Sequence, residues 1–448
     1  MPITDSYFDK NEEKTMICNN LTVNKDGHLC FGGQDTTKLA EQYGTPLYLM
    51  DEARIRQNCR TYLSAMKEAF GNASLPLYAS KAASFKQIYR IMKEEGMGID
   101  VVSSGEICTA VSVGFPMERA YFHSNNKTDA DIDYAMQNGI GYFVVDNREE
   151  LDAIEYFASK HGITQKILLR LTPGIDTHTY AAVNTGKVDS KFGSAIETGQ
   201  ADEITAYTLS LAHIKLSGYH CHIGSQVFDS DTFLRAAAIM LGFANQMREK
   251  YGFIIDELDL GGGYGVRYTE NDPEIDIAAN ICEVARAVKA QCVALDYPMP
   301  AIRLEPGRSI VADAGLTLYT VGTVKQIPGY KNYVSVDGGM TDNPRYALYG
   351  SAYTVLLANR VNDKSEPFKC SVVGRCCESG DILQENVTLP ANTARGDILA
   401  VLTTGAYNYA MSSNYNRIPK PPVVMLKDGT SYVAVKRETY EDVCRNDI

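Results

Sequence analysis

What this sequence lacks narrows its function before any motif is read. No apolar run approaches the ~20 residues that a membrane span needs, so a membrane partner is not expected. No basic block is present, and 43 Lys and Arg stand against 55 Asp and Glu for a net charge of −12. That is the opposite sign from a phosphate-backbone binder, so no nucleic-acid partner is expected. Residues 1–20 are polar and acidic, without a positively charged start leading into an apolar stretch, and export is not expected either. The 11 cysteines, an odd number, include no CxxC pair. They read as free thiols of a reducing, cytoplasmic compartment rather than as a disulfide framework. Tryptophan is absent, which excludes nothing.

What is present is a chain of 448 residues, 45% apolar and 22% charged, enough for two or three folded domains. From about residue 45 to 310, short apolar strands alternate with amphipathic helices. The strand candidates are residues 46–50, 77–80, 98–103, 120–123, 142–146, 166–171, 214–222, 257–260 and 301–304. The helices carry their own punctuation. Asn147 and Glu150 are spaced as a capping box, Gly162 stops that helix, and Thr128 to Asp131 opens the one before it. Repeated βα units imply a parallel sheet, and eight of them close a (β/α)8 TIM-like barrel. The nine candidates are one too many, and 46–50 is the one in excess. A doubly wound open sheet is the alternative. Residues 311–448 instead show short alternating strands with turns, which indicates a β-sandwich or β-barrel domain. The expected class is therefore α/β plus all-β. It comprises N-terminal strands (1–44) joining the β domain, a barrel (45–310), and a C-terminal β domain (311–448).

In a parallel barrel, function gathers at the carboxyl ends of the strands. Lys81, Asp100, Glu106, His123, His220, His222, the glycines 261–263, Glu305 and Arg308 all fall there. A lysine at that mouth can be partly desolvated, which lowers its pKa and frees a nucleophilic amine; the plain alternative is a solvated surface lysine. The run Asp259-Leu-Gly-Gly-Gly-Tyr-Gly265 offers backbone N–H groups to an anion, or is only a tight turn. It is neither a dinucleotide fingerprint nor a Walker loop, lacking the third glycine of the one and the Gly-Lys-Ser/Thr of the other. His220 and His222 share a strand face, but no histidine follows them, so no metal is expected. Glu305 and Arg308 read equally as a structural ion pair. Cys376-Cys377-Glu378 is ambiguous alone.

Seven motifs in order carry more weight than any one. They are Tyr78-Ala-Ser-Lys81, the stretch Gly98 to Glu106, His222-Ile-Gly-Ser-Gln226, Gly261-Gly-Gly263, Glu305-Pro-Gly-Arg308, Cys377-Glu-Ser-Gly-Asp381 and Gly405-Ala-Tyr407. Together they resemble the fold-type III pyridoxal-phosphate decarboxylases. Over nearly the whole chain, and with Met411-Ser-Ser-Asn-Tyr-Asn416 in particular, the resemblance is to the diaminopimelate decarboxylases within them.

The resemblance implies decarboxylation of meso-2,6-diaminopimelate to L-lysine and CO2, the final step of bacterial lysine synthesis, with pyridoxal 5'-phosphate as cofactor. Lys81 would carry the cofactor and Glu305 would keep its ring nitrogen protonated. His222 would stack on the ring, with Asp100 and Glu106 shaping the surroundings. Gly261, Gly262, Gly263, Ser225 and the backbone of Pro306, Gly307 and Arg308 would hold the phosphate. Arg308, Arg345, Tyr349 and Glu378 would grip the far end of the amino-acid substrate, Tyr407 would touch both substrate and cofactor, and Cys377 would return a proton. The loop bearing Cys377 and Glu378 would come from a second subunit, making the active unit a homodimer. Two positions depart from the family's pattern, Arg375 and the stretch Asn416 to Lys420. Decarboxylases of ornithine, arginine or D-lysine, and a non-catalytic regulator on the same fold, are the rival readings.

Overall fold

Short, largely apolar runs build eight parallel strands: Leu75–Ala79, Gly98–Val101, Ala120–Phe122, Tyr142–Val145, Gln165–Thr172, Ile214–His220, Glu257–Asp259 and Ala301–Leu304. Each pairs with the next in a computed structural model that describes residues 16–175 and 190–448. Arg303 and Leu304 of the eighth strand pair back onto Leu75 and Pro76 of the first, and the sheet closes as a barrel rather than an open doubly wound sheet. Leu77, Tyr121, Val144 and Leu168 pack together from four of these strands. Tyr121, Tyr142 and Arg303 all converge on the Glu257 carboxylate at 2.7–2.9 Å, so that buried charge is satisfied.

Helices between the strands form the outer ring. The eighth strand is followed only by the four-residue helix Arg308–Val311, and the long helix Glu52–Phe70 packs beside it and against Ile277–Ala294. It buries Ile55, Cys59, Tyr62 and Met66 on one face. Thr128 and Asp131 form a full capping box. Asn147 caps its helix by accepting the Glu150 N–H at 2.9 Å, but the reciprocal bond is missing. The Glu150 carboxylate goes instead to Lys127 at 2.6 Å and to the Asp146 N–H at 3.2 Å, because a buried ammonium is the stronger partner.

The strand in excess lies outside the barrel although it falls within the 45–310 stretch. Leu47–Asp51 pairs antiparallel with Gly315–Ile327 and parallel with Val423–Lys427, at the centre of the second sheet. It is buried along its whole length, and the reason is visible in its alternation. Tyr48 and Met50 join the barrel core, while Leu47 and Leu49 face the opposite core with Leu316, Leu318, Val424 and Leu426. The short N-terminal strands Leu21–Val23, Leu29–Phe31 and Gln34–Asp35 make a sheet of their own, and Leu21, Leu29 and Phe31 enter that same second core. The β domain thus covers the barrel through a shared strand, and its loops reach the carboxyl mouth.

Candidate active site

Strand ends and β-domain loops enclose one cavity of about 540 Å³. The first strand ends in the single 3-10 turn Ser80–Ala82, which projects Lys81 into this space. That turn is tied to the β domain, where the Tyr407 N–H donates to the Ala82 carbonyl at 2.7 Å. Tyr407 sits at φ +60°, a backbone conformation that non-glycine residues rarely adopt away from functional sites. Asp100 lies near the end of the second strand, nearly fully buried, and Glu106 accepts the Val102 N–H at 2.7 Å. Burial pushes the Asp100 carboxyl up to about 6, and the Glu106 carboxyl up to about 7. The Lys81 amine moves the opposite way from the desolvation argument. Burial lowers it, but the charges of Asp100, Tyr407 and Glu305 outweigh that and hold it above the usual lysine range.

Glu305 directly follows the eighth strand and lies between two imidazoles. Its Oε1 lies 2.7 Å from His123 Nε2 and its Oε2 lies 3.2 Å from His220 Nε2. Burial alone would raise this carboxyl, yet the two histidines hold it well below the usual carboxylate range. A fixed anion results. His222, on the same strand end as His220, is driven well below its usual range by burial and by Lys81 and Arg170. It is therefore a neutral imidazole, and its Nδ1 accepts the Gly262 N–H at 3.3 Å, which orients the ring.

The glycine run follows the seventh strand. A Cβ at Gly262 would stand 2.0 Å from the Glu305 carbonyl, and one at Gly263 would stand 2.4 Å from the Gly224 carbonyl. At Gly261 it would meet the Cys221 carbonyl at 2.6 Å, and at Gly307 the Ala79 Cβ at 2.9 Å. The backbone can line the cavity only because these positions lack side chains. The Gly261 N–H is held by Asp259 Oδ1 at 2.8 Å, and Pro306 supports the first strand through its carbonyl, which accepts from the Ala79 N–H at 3.1 Å. Ser225 accepts from Arg308 Nη2 at 2.8 Å.

Pyridoxal phosphate fits this donor set. An amine, a fixed carboxylate, a neutral ring and an anion cradle are the four groups that an aldehyde, a ring nitrogen, a ring face and a phosphate require. Among the described residues the buried Tyr264 hydroxyl and Arg308 Nε have no hydrogen-bond partner, so donors wait there for an anion.

Of the residues singled out from sequence, Lys81, His222, Ser225, Gly263, Glu305 and Gly307 line the cavity with Arg308, Arg345, Tyr349 and Tyr407. Asp100, Glu106, Gly261, Gly262 and Pro306 are not among the lining residues. Cys377 and Glu378 are not brought there. Both are exposed, on a loop whose Cys377 N–H donates to Asn416 Oδ1 at 2.8 Å and whose Cys376 N–H is held by Asp381 at 2.7 Å. Sequence reasoning left His123 and His220 as strand-end residues without a task, and missed Arg170, which the same strand-end rule reaches. Tyr268 and Tyr353 lie in loops where no pattern marks them. His178 lies outside the described residues.

Comparison with known proteins agrees with this geometry. The family described as pyridoxal-dependent decarboxylase, pyridoxal binding domain, matches residues 52–312. The diaminopimelate decarboxylase of Bacillus subtilis is 45% identical over 428 residues, covering 95% of this chain and 96% of that protein. The crystal structure of the M. jannaschii diaminopimelate decarboxylase in complex with L-lysine superposes with a TM-score of 0.88 at 32% identity, covering 96% of this chain and 98% of that one. The Helicobacter pylori enzyme, also with L-lysine, gives a TM-score of 0.82 at 33% identity, covering 92% and 98%. With the barrel closed and Lys81 at its mouth, this chain belongs to the pyridoxal-dependent decarboxylases, in the family of the diaminopimelate decarboxylases.

Proposed function

We propose that the cavity decarboxylates meso-2,6-diaminopimelate to L-lysine and CO2, with Lys81 carrying pyridoxal 5'-phosphate. The observation that carries the substrate choice is the pair of buried arginines, Arg308 and Arg345, on the wall of the cavity that holds Lys81. Neither has a carboxylate within ion-pair distance among the described residues. Buried guanidiniums without counter-ions are costly, and a substrate with a second amino-carboxylate end relieves that cost while a simple diamine precursor does not.

The cofactor, when bound, supplies a sink for the electron pair released as the C–C bond to the leaving carboxylate breaks. The chain's residues do the rest. Glu305 places a permanent negative charge where a protonated ring nitrogen is needed, and His123 and His220 hold it ionised. Neutral His222 presents its ring face without adding a competing positive charge. The glycine run, Ser225 and the Pro306-Gly307-Arg308 turn bind the phosphate. Arg308, Arg345 and Tyr349 orient the distal end of the substrate, and Tyr407 closes the site over the Lys81 turn. Cys377 donates the proton that replaces the carboxylate, and Glu378 pairs with the distal ammonium. Both act from the partner subunit of a homodimer, which accounts for their exposure in a single chain. No helix among the described residues is long and apolar enough to cross a membrane, and all 11 cysteines are free, which suits a cytoplasmic enzyme.

CO2 release by the holoenzyme tests this across meso-diaminopimelate, L-lysine, L-ornithine, L-arginine and D-lysine. Turnover confined to diaminopimelate, with L-lysine as product, is expected. Turnover of a simple basic amino acid would leave the Lys81 chemistry standing and remove the role given to the arginines.

A further inference from the structure

Arg308 and Arg345 are like charges held side by side in a buried wall, where their repulsion is weakly screened. What holds them is a tyrosine on the loop after the seventh barrel strand. The Tyr268 hydroxyl oxygen accepts from Arg308 Nη1 at 2.5 Å and from Arg345 Nη1 at 3.1 Å, which uses both of its lone pairs. The rest of the cluster gives each guanidinium a second hydrogen-bond partner. Arg345 Nη1 also donates to the Tyr353 hydroxyl at 2.9 Å, and Arg308 Nη2 donates to Ser225. The Tyr407 ring centroid lies 4.9 Å from the Arg308 guanidinium carbon, and the Tyr268 ring centroid 5.2 Å from that of Arg345. Behind the arginines lies a smaller cavity of about 90 Å³ that Tyr268, Asp272 and Gln226 share with them.

We propose that Tyr268 is a specificity-determining positioning residue, its hydroxyl clamping Arg308 and Arg345 into one paired receptor for the distal carboxylate of the substrate. The inference rests on the reading that these arginines take that carboxylate. Its electrostatics are consistent with the geometry. Burial opposes ionisation of the Tyr268 hydroxyl, but the two guanidiniums outweigh it and hold the group below the ordinary tyrosine range. The other charged or titratable groups around it are Tyr353, packed edge-on at 5.2 Å between centroids, and Asp272, whose Oδ2 accepts the Tyr268 backbone N–H at 2.9 Å.

Competitive inhibition of the holoenzyme by L-lysine and by cadaverine tests this, because the two ligands share a chain and differ only in the carboxylate. The wild type should bind L-lysine more tightly than cadaverine. Tyr268→Phe should weaken L-lysine about tenfold or more while moving cadaverine by less than about twofold, the size expected for hydrogen bonds to a charged group. KM for diaminopimelate should rise more than kcat falls, and the cofactor absorbance should be unchanged, showing that the site has assembled. Tyr353→Phe, which removes bonds from Arg345 and Asn408 but none from Arg308, should show a smaller effect of the same kind. In ultraviolet pH titrations the wild type should show one tyrosinate forming ahead of the bulk tyrosines, absent from Tyr268→Phe. An unchanged ratio of L-lysine to cadaverine affinity in Tyr268→Phe overturns the proposal, as does equal weakening of both ligands. A wild type that does not distinguish the two ligands overturns the prior reading of the arginines instead.

Discussion

Around Lys81 the carboxylates divide by environment. Glu305 is kept ionised by two imidazoles, whereas Glu106 has one backbone N–H and is pushed up to about 7 by burial. The two groups therefore affect stability in opposite senses. An ordinary carboxyl in the unfolded chain titrates near ~4.3. Between that value and about 7 the folded protein holds a proton on Glu106 that the unfolded chain has already released. The contribution of this group is thus greatest below ~4.3 and is lost as pH rises through its folded value. Glu106→Gln removes the ionisation and can keep the bond from Val102. The variant apoenzyme should gain about 2 kcal/mol more over wild type at pH 8 than at pH 5, read as a larger rise in melting temperature. An equal change at both pH values would show that Glu106 titrates normally. Glu305 acts the other way: its depressed value stabilises the fold above the unfolded carboxyl range, and that stability goes as pH falls through the folded value.

At the level of elements, the glycine run is the most sharply constrained. Gly262→Ala would put a methyl 2.0 Å from the Glu305 carbonyl, on backbone that cannot step aside without moving the end of the eighth strand. Overpacking of this kind costs about 1–3 kcal/mol, and here the displacement falls on Glu305, the residue proposed to face the ring nitrogen. The variant should lose cofactor affinity more than it loses stability, measured by pyridoxal-phosphate titration alongside thermal melting. Normal cofactor binding would mean that the run is only a turn. The barrel and its strand-end residues were legible because short apolar strands, capped helices and carboxyl-end positions are local signals. That 46–50 is in excess of the barrel was legible from the count of nine, but its pairing was not, since a strand buried on both faces looks alike in either sheet and only its long-range partners decide. The missing half of the Asn147 cap has the same cause, a buried Lys127 from another element. Tyr268 and Tyr353 gain meaning only from two arginines some 40 and 8 residues away in sequence, in contacts that no spacing rule encodes.

For the whole molecule, the decisive feature is that the proposed proton donor and the cofactor lysine sit apart in one chain. Lys81 stands in the cavity; Cys377 and Glu378 are exposed on the β domain. If the site is shared across a two-fold axis, each cavity draws Lys81 from one subunit and Cys377 from the other. Lys81→Ala and Cys377→Ala homodimers should each be nearly inactive, since each lacks one member in both cavities. Mixing the two variants with exchange of subunits creates a heterodimer in which one cavity has both defects and the other has none. Random exchange at equal amounts makes half the dimers mixed, each with one intact site of two, so activity should recover to about one quarter of wild type. Recovery should require exchange, appearing only after dilution or mild denaturant lets subunits separate. Absence of recovery from demonstrably mixed dimers would place Cys377 in its own chain's cavity, and a fully active Cys377→Ala homodimer would place it outside the reaction altogether.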